Sequence, residues 1–202
     1  MRTLIKNGLV YDGSGGTPFR KDVLIKDGFI EAVTESAEAY GMEMTRAAAS
    51  GAEAAVAEVI DASGLVVTPG FIDTHRHCDI DALYNPEFGR LEMAQGLTTV
   101  IGGNCGLAPI PAPKQYRRDI YDFIEPCLGI APEEMAIERF GDYLEELGKR
   151  ELPLHVGSLL ATGTLKAAIK GYGKGPFTRQ EMDQAKAYIR EGLEAGRSEE
   201  RR

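Results

Sequence analysis

Two of the chain's three histidines, His75 and His77, lie two residues apart in "TPGFIDTHRHCDID", residues 68–81, among Asp73, Asp79 and Asp81. Imidazoles hold divalent ions, and a nearby carboxylate completes or orients such a set. Side chains two apart on a strand share a face. A strand running through this stretch therefore groups Asp73, His75 and His77, with Thr74 and Arg76 on the other side. An H-x-H pair alone is a weak signal. Joined to Pro-Gly-Phe-Ile-Asp it specifies a turn, an apolar run and the donors together, and predicts a metal site over a merely polar strand end. A third donor follows in "TTVIGGNCG", where Cys105 lies just past an apolar run and Gly102 and Gly103 leave room for another group to approach. A lone cysteine in such a place usually reads as an inert thiol. Beside a histidine pair, its thiolate suits zinc. His155, in "LPLHVGSLL", reads as a core or strand-edge imidazole before it reads as a ligand. Cys78 reads as a packed thiol, and Cys127 sits in a helical pattern without a partner.

The elements that must position these residues change in texture along the chain. Residues 1–65 read as strands of a small β-sandwich. "TLIKNGLVYDG" and "DVLIKDGFIEAV" are short, rich in branched apolar residues and broken by glycine. Asp27-Gly28 predicts a tight hairpin of the mirror-image type, and "EVIDASGLVVTPG" turns at Ser63-Gly64. Between them, at about 35–58, an Ala/Glu-rich stretch favours helix but lacks an apolar stripe, and is expected to be a surface excursion. From 66 to 196, strand-like and helix-like segments alternate. "VVTPGFIDTHRH", "LTTVIGGNCG" and "LPLHVGSLL" are the strands. "PEFGRLEMAQG", "KQYRRDIYDFIEPCLG", "PEEMAIERFGDYLEELGKR", "LKAAIKGYG" and "TRQEMDQAKAYIREGLEAG" are the helices. The last opens on a capping box, Thr178 with Glu181, and is expected to end at Gly196, leaving a charged tail at 197–202. Alternation of this kind implies a parallel sheet. Three β/α units do not close a (β/α)8 barrel, which takes about 250 residues.

Composition narrows the function classes. With 43% apolar residues in 202, the chain can bury a core, and 31 acids against 23 bases give a net charge of −8. That balance argues against a nucleic-acid backbone as partner. No apolar run approaches the length of a membrane span, and "MRTLIKNGLVYDG" lacks the core of a signal peptide. Three irregularly spaced cysteines imply no disulfide framework, and a reducing, cytoplasmic setting is expected.

Taken together, these motifs resemble the amidohydrolase superfamily, and within it the N-acyl-D-amino-acid deacylases (D-aminoacylases). "LIKNGLVYDGSGGTPFRKDVLIKDGFIEAV" resembles that family's N-terminal contribution to a small β-sandwich. "VVTPGFIDTHRHCDIDAL" is similar to its first barrel strand, and "GLTTVIGGNCGLAPIP" to its second, including the Asn-Cys-Gly. The resemblance implies an α/β chain: the N-terminal part of a TIM-type (β/α)8 metal-dependent hydrolase barrel behind β-sandwich strands. It also implies a zinc-dependent enzyme that cleaves N-acyl-D-amino acids to a carboxylate and a free D-amino acid, the ion activating water and polarising the carbonyl. Carried over by motif, Cys105 is the thiolate ligand of the tight zinc, and His75 and His77 flank a second, weaker position. Asp73 and Asp79 then support or hydrogen-bond the ligands, or else are acids at a solvated strand end. The family's other zinc histidines and its general-base aspartate lie on later strands, so little turnover is expected from this chain alone. Many relatives carry Gly-His where this chain has Ala161-Thr162. Two other readings stay open. One is a hydantoinase-like or dihydroorotase-like amidohydrolase, which usually favours a carboxylated lysine over cysteine. The other is a non-catalytic split-gene fragment or subunit whose partner chain supplies the remaining strands.

Overall fold

The computed structural model describes residues 2–35 and 58–199, and the chain divides into two compact units, Met1–Pro69 and Gly70–Arg202. The Ala/Glu-rich stretch falls almost wholly outside the described residues. The first unit contains β1 (Arg2–Lys6), β2 (Leu9–Val10), β3 (Phe19–Arg20), β4 (Asp22–Lys26), β5 (Phe29–Thr34), β6 (Glu58–Asp61) and β7 (Val66–Val67). They form two sheets, one in the order β5-β4-β1-β6 and one in the order β3-β2-β7. Lys26 pairs with Phe29, which leaves the two-residue loop Asp27-Gly28 with φ of 49° and 86°. Two successive left-handed residues match the right-handed twist of the flanking strands, and Asp-Gly tolerates them. Val66 and Val67 were expected to open the barrel part. They pair instead with Leu9 and Val10 of β2, so along the chain the boundary between the units falls between Pro69 and Gly70.

The second unit runs β8 (Phe71–Asp73), α1 (Asp81–Tyr84), α2 (Arg90–Ala94), β9 (Leu97–Gly102), a 3₁₀ turn (Asn104–Gly106), α3 (Arg117–Leu128), α4 (Phe140–Gly148), β10 (His155–Ser158), α5 (Thr162–Lys170) and α6 (Arg179–Glu199). Its sheet has the order β10-β9-β8 with both pairings parallel, as the alternation predicted. The central strand, β9, is rich in β-branched residues, and its Val100 is fully buried. Ile120, Ile124 and Leu128 form one buried stripe along α3, and Phe140, Tyr143 and Leu147 another along α4. Each fully buried apolar side chain contributes about 1.5–3 kcal/mol. For short helices that packing outweighs propensity. The capping box of α6 is formed: the Glu181 N–H donates to Thr178 Oγ1 at 3.2 Å and the Thr178 N–H to Glu181 Oε2 at 2.6 Å.

Several elements are shorter than their patterns predict. Helix α4 begins only at Phe140, because residues 132–139 are spent on a turn (Met135 N–H to Pro132 O, 3.0 Å) and on the Ala112 N–H to Glu138 O bond, also 3.0 Å. Helix α2 is confined to Arg90–Ala94 because Asn85 Oδ1 accepts the Glu87 N–H and Gly89 turns left-handed at φ 87°. The one-turn α1 was not anticipated, and α6 runs past Gly196 to Glu199. No helix among the described residues is long and apolar enough to cross a membrane.

Candidate metal centre

Strand β8 ends at Asp73, so the side-chain alternation expected to carry His75 and His77 does not extend to them. The cause is local. Asp73 Oδ1 accepts the His75 N–H at 3.0 Å, an Asx turn that takes the backbone out of the ladder. The Arg76 N–H then donates to Ile101 O at 2.9 Å, docking the loop on the end of β9. The histidines meet through this loop, with their rings edge to face at 5.5 Å between centroids.

Cys105 reaches the same place from β9. Gly103, Cys105 and Gly106 are all left-handed, at φ 73°, 57° and 75°. The turn is tight: a Cβ on Gly103 would lie 2.1 Å from Leu159 O, so only glycine fits there. A left-handed cysteine is uncommon, and strain of this kind collects at functional sites. The turn delivers Cys105 Sγ to 3.1 Å from His75 Nε2. One donor atom each from His75, His77 and Cys105 lies within 4.8 Å of the others. Bond lengths of about 2.0–2.3 Å around a tetrahedral zinc put its ligand atoms roughly 3.5 Å apart, so small side-chain rotations suffice. His77 Nδ1 is buried without a hydrogen-bond partner. An orphaned imidazole nitrogen beside a second imidazole and a thiol fits a borderline-soft divalent ion.

The surrounding residues hold these loops. Asp79, 1% exposed, accepts the Gly103 N–H on Oδ1 at 2.8 Å, while Oδ2 has no partner. Burial pushes its carboxyl up to about 6, against the pull of the Gly103 hydrogen bond. Asn104 donates through Nδ2 to Ile101 O at 2.7 Å. The Arg76 guanidinium pairs with the buried Glu92 carboxylate, and Asp73 stands at 4.0 Å from it. Helix α2 thus presents its acid inward while Leu91 and Met93 face out, at 64% and 50% exposure. Sequence reasoning gave Arg76 and Glu92 no role. The available signal was an acid paired across sixteen residues with the arginine between two histidines, which no periodicity reveals.

His155 opens β10 opposite Thr99 of β9 and is exposed, at the end of the sheet away from the cluster. It is a strand-edge imidazole. Thr162 is exposed at the start of α5, following the buried Ala161. Burial pushes the Cys78 thiol up to about 12, as befits a packed side chain, and Cys127 is exposed and free.

The chain matches the sequence profile described as "Amidohydrolase family" over residues 58–197. It is 31% identical to an N-acyl-D-aspartate deacylase of Alcaligenes xylosoxydans xylosoxydans, across 96% of this chain and 34% of that one. Two solved structures are similar. One is a D-aminoacylase studied for its binuclear metal centre, with TM-score 0.75 and 26% identity over 96% of this chain and 36% of that one. The other is an N-acyl-D-glutamate deacylase from Bordetella bronchiseptica, complexed with zinc and a phosphonate mimic of the tetrahedral intermediate. It has TM-score 0.73 and 25% identity over 95% of this chain and 36% of that one. The chain therefore spans about a third of the length of these relatives, and its α/β class is that of a metal-dependent hydrolase barrel with a β-sandwich domain. Agreement of a profile over most of the chain with likeness in both sequence and fold leads to one assignment: this chain belongs to the amidohydrolase family.

Proposed function

We propose that the chain supplies the front part of a zinc-dependent amidohydrolase acting on N-acyl-D-amino acids, with His75, His77 and Cys105 as metal ligands. The reading is supported above all by the 3.1 Å approach of Cys105 Sγ to His75 Nε2, with His77 completing the cluster. Neither imidazole–thiol proximity nor a left-handed cysteine is needed to hold the sheet together; both serve a shared ion. When bound, zinc supplies Lewis acidity toward an amide carbonyl and water. The chain's own residues hold the donors. Asp73 turns the loop so that His75 faces the sulfur, the Arg76–Glu92 pair anchors the segment between the histidines, and the left-handed turn lifts Cys105 into place. The likeness to deacylases of D-aspartate and D-glutamate conjugates supports an N-acyl-D-amino acid as substrate class.

Zinc affinity of the 202-residue chain, measured by chelator competition for wild type and Cys105→Ser, tests the ligand set. Loss of the thiolate is expected to weaken binding by about tenfold or more; equal affinities would sink the assignment. Release of D-methionine from N-acetyl-D-methionine, or of D-aspartate from its N-acetyl conjugate, tests the substrate class once the chain is joined to the remaining two thirds found in its relatives. Hydrolysis of the L-enantiomers alone would overturn it.

A further inference from the structure

We propose that Asp79 is a positioning residue for the metal centre: its buried carboxylate ties the His75–His77 loop to the Cys105 turn and so sets the separation of imidazoles and sulfur. The inference rests on the zinc reading above. Asp79 lies two residues beyond His77, and the amide it binds, Gly103, lies two residues before Cys105. One hydrogen bond of 2.8 Å therefore links the two ligand-bearing segments, beside a longer one from Asn104 Nδ2 to Arg76 O at 3.5 Å. The residue is itself held from behind, because the Tyr143 hydroxyl on α4 donates to Asp79 O at 3.0 Å. Space is reserved for the carboxylate as well. A Cβ on Gly102 would lie 2.7 Å from Asp79 Oδ1 and 2.9 Å from its Cγ. A second latch runs the other way, since Asn104 Nδ2 and the Arg76 N–H converge on the single acceptor Ile101 O.

Packing alone does not favour so polar a side chain here. Asp79 Oδ2 is buried without a partner, and an unsatisfied buried acceptor opposes folding. A group kept at a cost to stability, between two ligand segments, marks a site where function overrides local preference. Partners of this kind typically change metal affinity by about 10–100-fold when removed.

Three variants of the 202-residue chain test the proposal, read by zinc affinity in chelator competition and by the thiolate charge-transfer band after cobalt substitution. Asp79→Leu keeps the approximate volume without an acceptor. It is expected to lose about tenfold or more in zinc affinity and to weaken the cobalt band, beyond what any drop in melting temperature of the metal-free chain from the unpaired Gly103 N–H accounts for. Asp79→Asn keeps an acceptor for Gly103 and is expected to retain near wild-type affinity and spectrum. Gly102→Ala displaces the carboxylate without altering it and is expected to behave like Asp79→Leu. It decides the matter should the leucine variant fail to fold. Wild-type affinity in the leucine or alanine variant would overturn the proposal. So would damage in the asparagine variant equal to that of leucine, or a loss of affinity that only tracks a lower melting temperature. Wild-type chain that binds no zinc would overturn both this inference and the zinc reading. Binding by wild type with an indifferent Asp79→Leu removes this inference alone.

Discussion

The two units of the chain are built by different means. The first is a set of short strands joined by turns, with Val10, Val23, Leu24 and Ala62 buried while Phe29, Ile30 and Val59 stand 79%, 70% and 56% exposed. The second packs Tyr143, Ile110, Ile120, Ile124 and Val100 to near-complete burial and places four polar or charged residues inside: Asp79, Glu92, Asn104 and Thr164. Three of those four surround the cluster of His75, His77 and Cys105. Thr164 plays the same kind of part nearby, exchanging hydrogen bonds with Ala108 N–H and O at 3.0 and 2.9 Å. Hydrogen bonds from buried polar groups lock loops that turn chemistry alone would leave loose, and here they do so although Asp79 Oδ2 stays unpartnered. Turn chemistry shapes the first unit, whereas buried polar groups hold the loops that carry His75, His77 and Cys105 in the second.

The contrast is largest for core truncation. Tyr143→Ala, at a position 1% exposed, is expected to destabilise the second unit by about 4 kcal/mol. Phe29→Ala is expected to change the first by no more than about 0.5 kcal/mol. Amide exchange of β9 and of β5 respectively measures the two, and equal losses would erase the distinction. A smaller effect is expected at the hairpin: Gly28→Ala, forced to keep φ near 86°, should cost about 1 kcal/mol and speed exchange along β4 and β5 without disturbing β9. An unchanged β4–β5 exchange rate would mean that pairing, not the turn, sets the register. The smallest effect concerns pH. Hydrogen bonds from Asn7 and then Ser63 hold the exposed Asp61 carboxyl at about 2, below its ordinary 3.8. The folded form gives up this proton more readily than the unfolded chain. Its stabilising contribution is therefore full above about pH 3.8 and fades as pH falls toward 2. Asp61→Asn should flatten the acid dependence of the first unit in that window and leave the second unit's unchanged. A wild-type acid profile in the variant would remove Asp61 as its source.

Legibility in the sequence follows the same division. The Asp27-Gly28 hairpin, the Ser63-Gly64 turn, the capping box of α6 and the parallel pairing of the strands in the second unit are local or periodic signals, and each is found where its residues predict it. The grouping of His75, His77 and Cys105 was legible as a set of residue types, but not by the route expected. Strand alternation was to bring the histidines together, and an Asx turn at Asp73 does so instead. The inward Glu92 was invisible, and so was the Gly103 partner of Asp79, a residue expected to support or hydrogen-bond the ligands, because these contacts lie 16 and 24 residues away rather than among neighbours in the pattern.

Cys105 occupies a backbone slot that glycine or asparagine would fill with less strain. A library of this chain screened for heat resistance alone should therefore drift away from sulfur at that position, and, with Cys105 as the proposed zinc ligand, its most robust members would be the ones least able to take up a metal. Under that proposal, redesign of this scaffold has to select for the ion and the fold at once.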